Sequence, residues 1–247
     1  MGENKLMKTE FSDNQFKHAY ADDMEFHWWS YARSKIITTL IKSFVKPKSS
    51  ILEIGCGRGI VVKGLRDAGI DCYGVEIANV SPIQTIEKYV HVGIDAVELP
   101  YIERQRYETI LLLDVIEHIP EPAAFLKNLA KNFPNLLSVI ITVPSRQELW
   151  SNYDEFYGHF IRYTPEMLEK ISNELGWSLK RKGYFFHMLY VPALLMVKLK
   201  QKRKVLLTPP QGVSRLLHKL ISYAMIADYY FLPANFFGTS VMGCYVL

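Results

Sequence analysis

The sequence predicts an α/β fold: a doubly wound sheet of seven strands, with a helical cap before the first strand and a helical insertion between the last two. Three observations carry that expectation. Short apolar runs alternate with stretches of helical periodicity, the pattern of a sheet covered by helices on both faces. The first run, 51–54, breaks into the glycine turn Gly55-Cys56-Gly57-Arg58-Gly59, after which Val61, Val62, Leu65 and Ala68 recur at helical spacing. The second run, 71–77, carries an acid, Glu76, at its carboxyl end.

A chain of 247 residues suffices for one large α/β domain with an elaboration. Hydrophobic residues at 49% and charged residues at 22% describe an ordinary globular protein. A net charge of +4 is too small to argue for nucleic-acid binding. The three cysteines, Cys56, Cys72 and Cys244, form no C-x-x-C pair, which fits a reducing compartment without a structural metal or disulfide framework. Residues 1–23 are polar with few apolar anchors and read as partly disordered. They contain no apolar core of a signal peptide, so the protein reads as cytoplasmic.

Taken in order, residues 1–48 form the cap. The aromatic stretch Phe26-His27-Trp28-Trp29 runs into a helix with Ile36, Ile37, Leu40, Ile41 and Phe44 on one stripe. The core, 49–186, opens with strands at 51–54 and 71–77 and a short helix at 82–89. A third strand follows at 89–93 and a fourth at 109–113, the latter fully apolar as a sheet buried on both faces requires. A helix at 123–132 leads to a fifth strand at 138–143. Residues 145–163 read as a long aromatic loop, and loops of that length in a compact domain are usually functional. Thr164-Pro165 starts a helix that Gly176 stops. A sixth strand spans 177–186 and a seventh 239–247, with the insertion, 187–238, between them.

Glycines at a strand-to-helix turn place a ligand at a helix N-terminus, on the carboxyl edge of the sheet. The G-x-G-x-G spacing lacks the G-x-x-G of a dinucleotide fingerprint, and no Gly-Lys-Ser/Thr follows. Glu76 can accept both ribose hydroxyls of an adenosine ligand. With LEIGCGRG at 52–59 and YGVEIA at 73–78, the chain resembles the class I S-adenosylmethionine-dependent methyltransferases, particularly bacterial small-molecule O-methyltransferases such as the quinone-O-methyltransferase group. The resemblance covers roughly 25–186 and implies a Rossmann-like sheet whose last two strands are antiparallel. It also implies S-adenosylmethionine as cofactor, held by Glu53, Gly55, Cys56, Gly57, Gly59, Glu76, Ile77, Asp95, Ala96, Asp114 and Val115. Asp95 falls in a segment like the family's G-D-A-x-x-L-P-F and would meet the adenine amino group. The opening His27-x-Trp29-x-x-x-Arg33 is similar to relatives whose leading helix caps the cofactor cleft, although nothing in the sequence fixes where His27 and Arg33 point.

Methyl transfer to oxygen or nitrogen needs in-line placement and a proton acceptor. His118, just past the fourth strand, and the more distant His159 are the candidate catalytic residues. The alternative for His118 is a helix cap or a backbone hydrogen bond. Asp114-x-x-Glu117-His118 with His159 also resembles the E-x-x-E-H of metal-dependent O-methyltransferases, from which it departs by beginning with Asp. The expectation is that no metal is bound. Within the insertion, apolar helices at 188–199 and 214–232 flank a basic run from Lys198 to Lys204. Residues 188–199 are too few to span a bilayer, which takes ~20 apolar residues. The insertion reads as a lid or homodimer face, or alternatively as a peripheral membrane contact.

The expected function is methyl transfer to a small-molecule, glycan or lipid-linked acceptor, at oxygen, with no nucleic-acid partner. A catalytically silent methyltransferase-like binding protein and an RNA methyltransferase are the rivals.

Overall fold

The computed structural model describes Gln15 and residues 21–247; the expectation of disorder for 1–14 and 16–20 lies outside the described residues. In chain order the elements are α1 (Trp28–Phe44), β1 (Ile51–Ile54), α2 (Ile60–Asp67), β2 (Cys72–Glu76), β3 (Val90–Val92), α3 (Tyr101–Arg104), β4 (Thr109–Leu113) and α4 (Pro122–Asn132). There follow β5 (Ser138–Pro144), α5 (Asn152–Tyr157), α6 (Pro165–Leu175), β6 (Ser178–Phe185), α7 (Tyr190–Lys198), α8 (Ser214–Phe231) and β7 (Ser240–Val246).

The seven strands form one sheet in the order β3-β2-β1-β4-β5-β7-β6. β1 to β5 are parallel, and β7 runs antiparallel to both β5 and β6. The chain winds outward from β1 in one direction and then from β4 in the other. The switch between β1 and β4 leaves a crevice outside their carboxyl ends, where such sheets bind ligands.

Strand alternation divides the core into two layers. Leu111 and Leu113 of β4 join Ile36, Leu40, Val62 and Leu65 of α1 and α2 on one face. Ile110 and Leu112 join Leu126, Leu129 and Leu168 of α4 and α6 on the other. Each such side chain contributes about 1.5–3 kcal/mol on burial, which is why β4 reads as an unbroken apolar run. α6 begins with the Thr164 hydroxyl accepting from Met167 N and ends at Gly176 with φ 69°.

The short helix expected at 82–89 is a 3-10 helix over Gln84–Tyr89. One local expectation is corrected. Residues 145–163 are not one open loop: they hold α5, started by a capping box in which Ser151 and Asp154 bond each other's backbone amides or side chains. The apolar positions of α8 do not form one buried stripe. Met225 is buried, while Leu216, Leu217 and Leu220 are exposed on the other side.

The insertion packs back on the cap. α8 lies along α1, where the Trp28 amide donates to His218 Nδ1 at 3.2 Å and Thr39 Oγ1 meets the Tyr230 hydroxyl at 2.8 Å. Asp228 of α8 is buried and accepts from the amides of His187 (2.8 Å) and Met188 (2.9 Å), which fixes where the insertion leaves β6.

Candidate active site

The glycine turn follows β1 at the switch point. Gly55 and Gly59 adopt φ of 74° and 84°, a region costly for most side chains. Space is equally restrictive: a Cβ on Gly55 would lie 2.9 Å from Val115 Cγ2, and one on Gly59 would lie 2.5 Å from Ile86 Cδ1. Beside the turn, the buried Glu76 accepts from Gly57 N at 2.8 Å and Ala78 N at 3.0 Å. Burial raises its pKa, and those amides oppose the rise. An ionised carboxylate has about four acceptor positions, so ribose hydroxyls fit without loss of these bonds. Next to β2, Asp95 caps the turn beginning at Ala96, its Oδ1 accepting from Val97 N at 3.1 Å.

A cavity of about 350 Å³ opens at the switch point. Glu53, Gly55, Cys56 and Asp114 line it together with His118 and His159. Gly57, Gly59, Glu76, Ile77, Asp95, Ala96 and Val115 lie off its lining, along the neighbouring strand ends. The expected cofactor set therefore divides into a half within the cavity and a half beside it.

The cavity floor is acidic. Glu53 is buried with Oε2 unpartnered among the described residues, and burial pushes its pKa up to about 8, with Arg33 opposing. Asp114, at φ 58°, is raised by burial and held back by Arg33, whose Nη2 lies 2.8 Å from its Oδ2. Arg33 also sits 4.8 Å over the Trp29 ring, so the cap delivers the cation that faces these carboxyls. A glycine cradle, three acids (Glu53, Asp114 and Glu117) and Arg33 suit a ligand bearing a sulfonium, an ammonium and a carboxylate.

At the other end stand the histidines. His159 Nδ1 lies 2.9 Å from Asp154 Oδ1, and Arg162 forks onto the same carboxylate, Nε to Oδ1 at 2.7 Å and Nη2 to Oδ2 at 3.0 Å. Asp154 is fully buried; burial acts to raise its pKa, yet His159 and Arg162 hold it well below the usual carboxylate range. An ionised Asp154 accepts a hydrogen bond from His159 Nδ1–H, which keeps the proton there and leaves Nε2 as the basic nitrogen. The rings of His118 and His159 meet edge to face at 4.8 Å. Burial, and then His159, push the pKa of His118 down to about 4.

Glu117, His118 and His159 place one ligand atom each within 4.8 Å of one another, and both carboxylate oxygens of Glu117 are buried without a partner among the described residues. One carboxylate and two imidazoles suit a divalent cation such as Zn²⁺ or Mn²⁺. Asp114, the fourth member of the set considered from sequence, is taken by Arg33.

Several residues escaped the sequence reading. The direction of Arg33 depends on how α1 docks, which no local pattern records. Asp154 and Arg162 had a signal in Ser151-x-x-Asp154, a spacing close to a capping box. Tyr153 and Arg203, stacked 4.1 Å apart at the cavity's edge, come from segments fifty residues apart in the chain.

Fold and site together define a class I S-adenosylmethionine-dependent methyltransferase. A family model described as a methyltransferase domain matches residues 17–181, and the chain belongs to that family. The chain is similar to a ubiquinone biosynthesis O-methyltransferase of Burkholderia pseudomallei, at 24% identity over 166 residues covering 58% of this chain and 71% of the relative. Among solved structures it resembles a SAM-dependent methyltransferase from Archaeoglobus fulgidus, with TM-score 0.51, 18% identity and 87% and 94% of the two chains covered. It also resembles phosphoethanolamine N-methyltransferase 2 of Haemonchus contortus, with TM-score 0.53, 13% identity and 97% and 60% covered. Among the described residues no helix is long and apolar enough to cross a membrane.

Glu53 is expected to couple cofactor binding to a proton. With a pKa of about 8 it is mostly protonated at pH 7 in the free enzyme. A raised carboxyl adds stability that is lost as pH climbs toward 8, and a nearby cation favours its ionised form. Binding of S-adenosylmethionine at pH 7 should therefore release a substantial fraction of a proton, and the uncharged sulfur of S-adenosylhomocysteine should release less. Calorimetry in buffers of different ionisation enthalpy reads this directly. Identical enthalpies across buffers, or release that persists in Glu53→Gln, would remove Glu53 from the linkage.

Proposed function

We propose that this enzyme methylates a hydroxyl oxygen of a small, largely apolar acceptor, with His159 as general base. The observation that carries the reading is His159, backed by Asp154, in the lining of the cavity that also contains Gly55 and Asp114. S-adenosylmethionine, when bound, supplies an electrophilic methyl group on a cationic sulfur. Gly55, Glu53, Asp114 and Arg33 are the residues that would hold its methionine end. Orientation of the reactants in the cavity is worth up to ~7–11 kcal/mol in well-oriented cases. His159 Nε2, its ring fixed by Asp154 and Arg162, removes the acceptor's proton. Leu189 and, from α7, Pro192, Ala193, Met196 and Val197 line the cavity, which suits an apolar acceptor body. The similarity to a ubiquinone biosynthesis O-methyltransferase supports oxygen as the target. The modest, localised basic charge weighs against RNA as acceptor.

A second reading rests on the unpartnered Glu117 carboxylate. Glu117, His118 and His159 would then hold a divalent cation, which would lower the pKa of an acceptor hydroxyl bound to it.

Transfer of labelled methyl groups into cell-extract fractions tests the acceptor class: label should enter the fraction of small or lipid-extractable molecules. Label confined to RNA would overturn the reading. Cofactor binding with no transfer into any fraction would identify a silent binder. If chelation abolishes activity and Mg²⁺, Mn²⁺ or Zn²⁺ restores it, the metal reading replaces the general base.

A further inference from the structure

The insertion exposes an apolar surface that the methyltransferase chemistry leaves without a use. On α8, Leu216, Leu217, Leu220 and Phe231 are 57–84% exposed, and Val213, Tyr223 and Tyr230 lie at the same helical spacing. α7 is apolar on both sides: Ala193, Met196 and Val197 face the cavity, while Val191, Leu195 and Leu199 are more than half exposed. Between the two helices, Phe237, beyond α8, stacks on Tyr190 of α7 with centroids 5.1 Å apart. A helix apolar all round is expected to be covered on every side. Soluble monomers rarely expose a contiguous apolar patch of more than a few hundred Å².

Charge indicates what covers it. Residues 187–238 carry Lys198, Lys200, Lys202, Arg203, Lys204, Arg215 and Lys219, against one acid, Asp228. That acid is buried and bonded to the His187 and Met188 amides. Arg215 pairs with Asp23, and Arg203 lies over Tyr153. The five lysines have no carboxylate within ion-pair distance among the described residues. A second copy of the chain meeting this face symmetrically would bring lysine against lysine. Nucleic acid would meet the lysines but leave the leucines and Phe231 in water. We propose that the outer faces of α7 and α8 dock on an anionic lipid bilayer, the leucines and aromatics entering the headgroup boundary and the lysines meeting lipid phosphates. Docking places α7, one helix thick, between the membrane and the cavity. The proposal rests on this surface and not on which acceptor is methylated.

Flotation of the full chain with vesicles tests it. The protein should float with mixed phosphatidylcholine–phosphatidylglycerol vesicles and much less with phosphatidylcholine alone. Lys198→Gln, Lys200→Gln, Lys202→Gln and Lys204→Gln combined should lower the partition coefficient by about 100-fold or more, since each lysine near an anionic surface contributes roughly a fivefold factor. Leu216→Ser with Leu220→Ser should weaken flotation even at low salt, where the charges alone act most strongly. Retained cofactor binding by each variant establishes that it is folded. No flotation on either vesicle, or a lysine variant that floats like the parent, would overturn the proposal. A concentration-dependent dimer broken by Leu216→Ser and Leu220→Ser, with no flotation, would assign the face to a second copy.

Discussion

His159→Ala should lower turnover by ~100-fold to 10,000-fold, the range for a lost general base, while cofactor affinity stays within about twofold. The two readouts separate because the His159 ring is held by Asp154 rather than by the glycine turn or the cofactor-binding strands. The neighbouring His118 does not substitute for it. Burial, the larger cause of its lowered pKa, persists when His159 is removed and leaves it a poor proton acceptor. Truncating His159 also leaves Asp154 with its Arg162 fork, so the fold should survive. The deficit should shrink as pH rises toward the acceptor's own pKa, because an acceptor already ionised needs no base. Single-turnover methyl transfer at saturating cofactor, with calorimetry for affinity, makes the comparison. A folded His159→Ala variant within tenfold of the parent would end the assignment. A deficit that chelation of the parent reproduces and added metal reverses would make His159 a ligand.

The strands were legible because the sheet is covered on both faces, so β1, β4 and β5 announce themselves as apolar runs without side-chain alternation. The glycine turn and Glu76 were legible for a related reason. A turn that must hold Gly55 and Gly59 at positive φ, against Val115 and Ile86, leaves a local signature that no tertiary contact can disguise. The rest of the site was not written locally. Arg33 reaches Asp114 only because α1 docks across the carboxyl edge of the sheet, and Arg203 reaches Tyr153 only because the insertion folds back over α5. The two sides of the insertion's second helix were not separable in the sequence, for a physical reason. α8 has apolar residues on two sides, so helical spacing alone joined Leu216 and Leu220, which face out, with Ile221 and Met225, which face in.

Arg162→Met should destabilise the fold by about 3–5 kcal/mol, the cost of removing one partner from a buried ion pair. For a chain of this size that corresponds to a fall in Tm of roughly 6–20 °C. The methionine fills much of the arginine's volume, so the loss reports charge and hydrogen bonding rather than a cavity. Asp154 would keep Ser151 N at 2.9 Å and His159, but lose both arms of the fork. Arg162 Nη1 also donates to Ser145 O at 3.2 Å, so its removal unties α5 from the end of β5. The pH dependence has a definite sign. Asp154 is held below its ordinary range in the folded state, so its stabilisation is present above its unfolded pKa of ~3.9 and is lost as pH falls below that value. The stability gap between parent and variant should therefore be full from about pH 5 upward and should narrow on acidification below about pH 4. Arg162→Lys restores charge without the planar fork and should recover only part of the loss. Because Arg162 also orients Asp154 behind His159, turnover measured well below the variant's Tm should fall too, even where the protein is fully folded. Equal melting of parent and Arg162→Met at pH 7 would show that Asp154 does not depend on the fork, and the orientation of His159 would then rest on α5 and its capping box alone.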